Sequence, residues 1–329
     1  MSKETFLSVK DLIVEYTSEG EIVHAVNSVS FDLEKGKTIG LVGETGAGKT
    51  TIAKSILRIL PDPPARIVGG EIWLDGENVL DLPEKQMQEI RGNKVSMIFQ
   101  DPMTALNPVM TVGKQIAECI GLHQKIDSTR AKEKATKMLE LVGIPAERYG
   151  EYPHQFSGGM KQRVVIAMSL ACNPELLIAD EPTTALDVTI QAQVLDMMID
   201  LRDKMQTSMI MITHDLGIVA RVCDEVAIVY AGEIVESGNK EDIFIHPSHP
   251  YTIGLFGAIP KLTGDEKRLT HIPGMPPDPT KLPEGCAFSP RCQYATDECR
   301  KGHVGLTELT PGHFCRCLHS KMDKKEGEA

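Results

Sequence analysis

The stretch Gly43-Glu44-Thr45-Gly46-Ala47-Gly48-Lys49-Thr50 constrains this chain more than any other. It follows Thr38–Val42, an apolar run that reads as a buried strand. It precedes Ile52–Leu60, whose apolar residues recur three and four apart as on an amphipathic helix. Strand, glycine-rich turn and helix are the context in which a GxxxxGK[ST] pattern becomes a phosphate-binding loop. Glycines let successive backbone N–H groups converge on an anion, and the helix N-terminus adds unpaired donors and the positive end of its dipole. Lys49 is expected to reach the β- and γ-phosphates, and the Thr50 hydroxyl to coordinate Mg²⁺, with Thr51 next in the same turn. The alternative, a glycine-rich βα turn with no ligand, does not need the lysine and the hydroxyl in this register. A nucleoside triphosphate is the expected ligand.

With 329 residues, the chain is longer than one hydrophobic core usually supports, so a large domain with an appendage is expected. A net charge of −11 argues against a surface that coats nucleic acid. Residues 1–8 carry no apolar core of signal-peptide length, and no apolar run approaches the length that crosses a bilayer. A cytoplasmic protein is therefore expected, with any membrane role supplied by partners.

Along the chain, Leu7–Thr17 and Val23–Leu33 alternate apolar with polar residues around Ser18-Glu-Gly20, which suggests an antiparallel hairpin. Tyr16 ends its first strand and, taken alone, reads as a half-exposed strand aromatic. Pro61-Asp-Pro-Pro64 and Gly69-Gly70 mark a loop, Glu71–Asp75 and Asn78–Leu80 a second hairpin, and Lys94–Phe99 a short strand ending on Gln100. From Thr111 to Tyr152 the pattern turns helical. Ser157 then caps a helix with Gly158 and Gly159 in its first turn, where glycine costs about 1 kcal/mol each relative to alanine. That cost implies that something approaches the backbone there. Leu176–Asp180 is an apolar strand ending in Asp180-Glu181; beside a nucleotide loop, Asp180 would orient Mg²⁺ through water and Glu181 would polarise the attacking water. Two solvated charges after a core strand are the plainer reading. Asp187–Lys204 reads as a long helix and Ser208–Thr213 as a strand ending on His214, a position suited to a further phosphate-facing group although a lone histidine is more often structural. Cys223–Ile234 reads as one closing strand that turns at Ala231-Gly232.

Past about Glu241 prolines, among them Pro247, Pro250, Pro260 and Pro273, break the chain into short pieces. Five of the eight cysteines fall here: Cys286, Cys292, Cys299, Cys315 and Cys317. A cytosolic protein keeps such thiols reduced, so their clustering suggests a metal rather than disulfides. The gaps match neither common ferredoxin runs nor zinc ribbons, which leaves iron–sulfur, Zn²⁺ and bare structural thiols all open. On a local extended segment Cys315 and Cys317 would face one side, so either could be a fourth ligand. Cys119, Cys172 and Cys223 sit in apolar surroundings and read as core. The charged end 321–329 is expected to fray.

Phe156-Ser157-Gly158-Gly159-Met160 and the Asp180-Glu181 pair, standing beside the phosphate loop, make the chain resemble an ATP-binding cassette (ABC) ATPase. The signature of that family is Leu-Ser-Gly-Gly-Gln, so Met160 departs from it in the last place. The match runs from about Leu7 to Gly238. The resemblance implies an α/β fold: a RecA-like P-loop core with an antiparallel β subdomain and an α-helical signature subdomain at about 102–170. It assigns Tyr16 to adenine stacking, Gln100 to the Q-loop and Mg²⁺, Ala185-Leu186-Asp187 to the D-loop and His214 to the catalytic switch. It assigns Ser157, Gly158 and Gly159 to the ATP of a partner subunit.

A narrower likeness is carried by Ile98–Val112 and by Cys286-Ala-Phe-Ser-Pro-Arg-Cys292, which are similar to the oligopeptide/dipeptide importer ATPases, in particular the D-type of their two ATPase subunits. This divides the chain into an ATPase domain at 1–240 and an extension at 241–329, expected to form a small Cys-rich accessory domain. It implies a second homologous ATPase, two membrane permeases and an extracellular solute-binding protein as partners, at the cytoplasmic face of the membrane. Di- and oligopeptides are the implied solutes, with nickel, glutathione or oligosaccharides carried by near relatives. It also implies a [4Fe–4S] cluster on Cys286, Cys292, Cys299 and Cys317, with Cys317 preferred because Leu318-His319 follows it. Rival readings are a soluble cassette ATPase of DNA repair or translation, which usually has two cassettes or long coiled coils, and a regulatory module that binds without hydrolysing, which Glu181 and His214 speak against.

Overall fold

The computed structural model describes residues 5–184, 186–258 and 272–320. Ala185 of the expected D-loop, Pro260 and the charged end 321–329 lie outside the described residues. In chain order the elements are β1 (Thr5–Ser18), β2 (Glu21–Glu34), β3 (Thr38–Val42), α1 (Lys49–Ile56), β4 (Ala65–Leu74), β5 (Glu77–Asn78), α2 (Glu84–Ile90) and β6 (Val95–Ile98). There follow α3 (Pro102–Ala105), α4 (Val112–Gln124), α5 (Ser128–Leu141), α6 (Gly158–Leu170), β7 (Leu176–Asp180), α7 (Val188–Met205), β8 (Ser208–Thr213) and α8 (Leu216–Val222). The chain continues as β9 (Glu225–Tyr230), β10 (Glu233–Asn239), α9 (Lys240–Ile245), α10 (Pro250–Gly257), β11 (Thr307–Thr310) and β12 (His313–Cys315).

These elements fall into two units. One comprises 1–6, 33–38 and 78–212; the other 7–32, 39–77 and 213–329. In the first, β6, β7 and β8 run parallel, Val95 opposite Leu176 and Leu176 opposite Ser208. Every residue of these three strands is buried, as parallel strands covered on both faces require, and this is why they read as unbroken apolar runs. The helical stretch supplies α4 and α5, which bury Val112, Ile116 and Ile120 on one and Ala131, Ala135, Met138 and Leu139 on the other. Asp127 caps α5 by accepting from Thr129 and Arg130 N–H.

The second unit holds a four-stranded sheet in the order β2-β1-β4-β5. Antiparallel β1 and β4 pair from Leu7 opposite Leu74 to Tyr16 opposite Ala65. The expected loop at Gly69-Gly70 is instead strand: both glycines lie within β4, where the pairing slips between Lys10 and Ile13. Gly70 has φ +94°, and a Cβ there would come within 2.6 Å of Asp11 O and Leu12 Cα. The glycines therefore mark a bulge rather than a turn. The same unit holds β3 with β9 parallel to it, β10 antiparallel to β9, β12 antiparallel to β10 and β11 antiparallel to β12. Cys223–Ile234, expected as one strand, is divided: β9 and β10 form a hairpin about Ala231-Gly232, both with positive φ.

The extension expected as a separate Cys-rich accessory domain is not found as a separate body. Residues 213–329 belong to the unit that contains the glycine-rich loop. The reason is hydrogen bonding: β12 adds to β10 with Glu236 opposite Cys315, and His24 N–H of β2 donates to Pro279 O at 2.9 Å.

Candidate nucleotide-binding and hydrolysis residues

The residues Gly43 to Thr51 form the turn from β3 into α1. Gly43 has no room for a side chain, since a Cβ would sit 2.0 Å from Val229 O. Gly48 caps α1 at φ +101°, where a Cβ would lie 2.4 Å from Ala25 O. Gly46, at φ +82°, would meet nothing within 4 Å with an added Cβ. Lys49 is buried and its Nζ donates to the carbonyls of Gly43 at 2.7 Å and Glu44 at 2.9 Å, so the ammonium is folded over the loop. Tyr16, half-buried at the end of β1, places its hydroxyl 3.4 Å from Thr51 Oγ1. The outer face of the loop, Glu44 to Ala47, lines a cavity of about 270 Å³ with Val23, His24, Tyr230 and the prolines Pro276, Pro277 and Pro279.

His214 is exposed and follows the end of β8; the next residue, Asp215, caps α8 by accepting from Gly217 and Ile218 N–H. The backbone around the histidine is thus fixed from its C-terminal side.

In the other unit β7 delivers Asp180, 3% exposed, and Glu181 at its tip. Glu181 takes φ +47°, a left-handed conformation that side chains adopt only where the surroundings impose it. Its N–H donates to Ile212 O at 2.8 Å, and its Oε2 accepts from Gln100 Nε2 at 3.2 Å and from Thr184 Oγ1 at 2.9 Å. Two of the residues singled out from sequence, Gln100 and Glu181, are thus joined directly, and Thr184 is a third that sequence reasoning missed. A carboxylate pinned by two donors presents its other oxygen in a fixed direction, as an acceptor of a water proton must.

Ser157 caps α6 by accepting from Met160 N–H at 3.4 Å. Gly159 has an internal reason for being glycine, because a Cβ would strike Ile190 Cγ2 at 2.6 Å, whereas Gly158 is exposed and meets nothing within 4 Å. The helix tip is therefore a bare backbone surface at Gly158.

In the tail, Cys286, Cys292, Cys299 and Cys317 line one small cavity together with His249, Phe288 and His319. Cys299 Sγ lies 3.5 Å from His319 Nε2. Burial pushes the Cys286 thiol up to about 11, and the neighbouring thiols add to the rise. Cys315 is separate. The strand β12 ends at that residue, which is buried opposite Glu236, so the extended geometry expected to align it with Cys317 stops two residues short. Among the described residues no group of three or more His, Cys, Asp or Glu side chains is arranged to hold a metal ion. Four thiols around one cavity are donors of the type that both iron–sulfur clusters and Zn²⁺ take.

Sequence reasoning also passed over Arg291 and Tyr251. Arg291 donates to both carboxylate oxygens of Glu44, and the Tyr251 hydroxyl accepts from Glu44 N–H at 3.0 Å. The only signal for Arg291 was its place between Pro290 and Cys292 in a motif read for its cysteines.

A family model described as ABC transporter matches residues 26–184, and one described as the C-terminal region of oligopeptide/dipeptide transporters matches 235–299. The oligopeptide transport ATP-binding protein OppD of Bacillus subtilis (strain 168) is 54% identical over 97% of this chain and 91% of its own length. The chain belongs to the oligopeptide/dipeptide ABC transporter ATP-binding family. The dipeptide transport ATP-binding protein DppD of the same organism is 49% identical, covering 95% of this chain and 94% of that protein. A dimeric ATP-binding cassette, MJ0796, solved in a post-hydrolysis state with ADP and phosphate, overlays with a TM-score of 0.64 at 23% identity, over 71% of this chain and 98% of its own. That overlay shows the ABC ATPase fold. Members of this family are ATP-hydrolysing transport subunits. Among the described residues no helix is long and apolar enough to cross a membrane.

Proposed function

We propose that this chain is the ATP-hydrolysing subunit of a membrane importer of di- and oligopeptides. What carries the reading is the similarity to OppD and DppD along nearly the whole length, the tail included. Tyr16 stacks on adenine, Gly43 to Thr51 wrap the phosphates, and Lys49 holds the β- and γ-phosphates. Thr50, Gln100 and Asp180 hold Mg²⁺, the last through water. Glu181 is the general base, supported by the fixed orientation that Gln100 and Thr184 give it. His214 senses the terminal phosphate. Ser157, Gly158 and Gly159 receive the ATP of a second, homologous ATPase, and the bare backbone at Gly158 supports that role. Two permeases and an extracellular solute-binding protein complete the assembly, which places the chain peripherally at the cytoplasmic face of the membrane. ATP bridges the two subunits and hydrolysis removes the bridge, so the work comes from differential affinity for two states.

We further propose that Cys286, Cys292, Cys299 and Cys317 bind a [4Fe–4S] cluster that ties the tail's loops together. The support is their donor type and their shared cavity. The test of the main reading is uptake: a strain deleted for this chain should lose import of labelled di- and tripeptides, and the chain supplied back should restore it. Unchanged peptide uptake with lost uptake of another solute would overturn the substrate assignment.

A further inference from the structure

We infer that Arg291 is a positioning residue of the nucleotide loop, acting through Glu44; the inference rests on the reading of Gly43–Thr51 as the phosphate-binding loop. A glutamate inside such a loop is an electrostatic liability, because its carboxylate repels the anion that the loop exists to hold. Here that charge is answered from 247 residues away in the sequence. Arg291 Nη1 lies 2.9 Å from Glu44 Oε2, and Nη2 lies 3.1 Å from Oε1. This is the two-pronged pairing that a guanidinium makes and an ammonium cannot. The Arg291 side chain is 5% exposed and that of Glu44 28%, so the pair is shielded from solvent on the arginine side.

The arginine is itself held rigidly. Its Nε donates to Pro273 O at 3.0 Å and its Nη1 to the Tyr230 hydroxyl at 3.3 Å. The guanidinium lies 5.7 Å from the Tyr230 ring centre and 5.9 Å from that of Phe288. Tyr230, Tyr251 and Phe288 pack on one another with centroids 4.6 to 5.5 Å apart. From this aromatic block the Tyr251 hydroxyl accepts Glu44 N–H, while Lys49 Nζ donates to Glu44 O. Glu44 is therefore held at its amide, its carbonyl and its carboxylate, and the carboxylate tie comes from the tail. The loop lysine, Glu44 and Arg291 form one chain of contacts. Arg291 cancels the carboxylate's charge and fixes the first turn of the loop, so its contribution appears in nucleotide affinity.

The experiment uses the full chain. Equilibrium MgATP binding, and KM and kcat for phosphate release, are measured for wild type, Arg291→Met, Arg291→Lys, Glu44→Gln and the Arg291→Met/Glu44→Gln double variant. Arg291→Met should weaken MgATP binding about tenfold, the factor that one charge-assisted hydrogen bond carries, with a smaller effect on kcat. Arg291→Lys, which keeps the charge and loses the fork, should recover part of that loss. In the Glu44→Gln background the Arg291→Met change should weaken binding by less than about twofold, because its partner is already gone. Equal losses in both backgrounds, or an unchanged affinity with a lowered thermal midpoint, would overturn the inference in favour of a purely structural tie. Should Arg291→Met not fold, Arg291→Lys decides: a wild-type KM for ATP refutes the positioning role. A wild-type chain that binds no MgATP would instead overturn the nucleotide reading itself.

Discussion

Acidification should destabilise the unit that carries the nucleotide loop through one histidine. His249 is 1% exposed and caps α10, its Nδ1 accepting from Tyr251 N–H at 3.0 Å, while its Nε2 finds no hydrogen-bond partner among the described residues. Burial disfavours the charged ring and lowers its pKa from 6.5 to about 4; nearby Glu236 opposes the drop and Arg316 adds to it. The folded chain therefore keeps His249 neutral over a range where the unfolded chain protonates it. Because the folded pKa is the lower one, stability is present above 6.5 and is lost as pH falls from there toward about 4. Integrating between those two values gives a loss of about 2 kcal/mol from pH 7 to about pH 5, approaching about 3 kcal/mol below pH 4. Carboxylates elsewhere also titrate, so the comparison needs a variant. His249→Asn retains a capping acceptor and removes the titrating ring. Urea unfolding of wild type and His249→Asn at the two pH values, followed by the fluorescence of the single tryptophan, Trp73, reports on the same unit. Wild type should lose about 2 kcal/mol more than the variant on acidification. Equal losses would refute the assignment of a buried neutral histidine.

The remaining expectations concern the nucleotide residues and the tail. Glu181→Gln keeps the shape that Gln100 and Thr184 grip but cannot take a proton, so phosphate release should slow on the order of 10²–10⁴-fold while ATP still binds; a wild-type rate would remove Glu181 as the base. Lys49→Ala should instead weaken equilibrium binding of a fluorescent ATP analogue, and unchanged binding would contradict its placement on the phosphates. Gly48→Ala puts a Cβ 2.4 Å from Ala25 O at φ +101°, which the loop must distort to admit; a stability loss of at least about 1–3 kcal/mol is expected in thermal unfolding, and a neutral effect would speak against this backbone. Anaerobic purification should yield brown protein with iron and acid-labile sulfide near four each per chain, a count set by the proposed [4Fe–4S] stoichiometry; stoichiometric zinc without visible absorbance would exclude the cluster.

Much of the architecture was legible because its signals are local. Buried parallel strands announce themselves as unbroken apolar runs, so β3, β7 and β8 and the acids at the tip of β7 could be placed from sequence. The phosphate loop was legible for the same reason, since strand, loop and helix are contiguous. What failed was glycine out of context. Gly69 and Gly70 look like a turn, and only their partner strand shows that they relieve a bulge opposite Asp11 and Leu12. The choice between Cys315 and Cys317 stayed open at the level of residue spacing, because alternation along a strand says nothing about where the strand ends. The pairing of Glu44 with Arg291 was invisible for a different reason. No periodicity links residues 247 positions apart, and a glutamate in a loop gives no sign of which cation will cover it.

The tail's attachment explains why it is no independent body. A proline-broken segment with few apolar residues cannot build a core, so it borrows one from the nucleotide unit. It does so in two places. At the edge of β10, β12 covers strand hydrogen-bonding groups that would otherwise face solvent. There Glu236, fully buried, accepts from His313 Nε2 at 2.8 Å and from the N–H groups of Ser248 and His249 at 2.7 and 2.9 Å. Removing any one donor from a buried carboxylate leaves charge uncompensated, which holds the β12 register. At the phosphate loop the tie is Arg291, one residue before Cys292. The cavity lined by the four cysteines and the clamp on Glu44 are thus adjacent along the chain, and Phe288 packs at both. Order in the cysteine loops is therefore order in the arginine's approach to Glu44. A tail that served only to hold cysteines would not need its arginine aimed at the nucleotide loop.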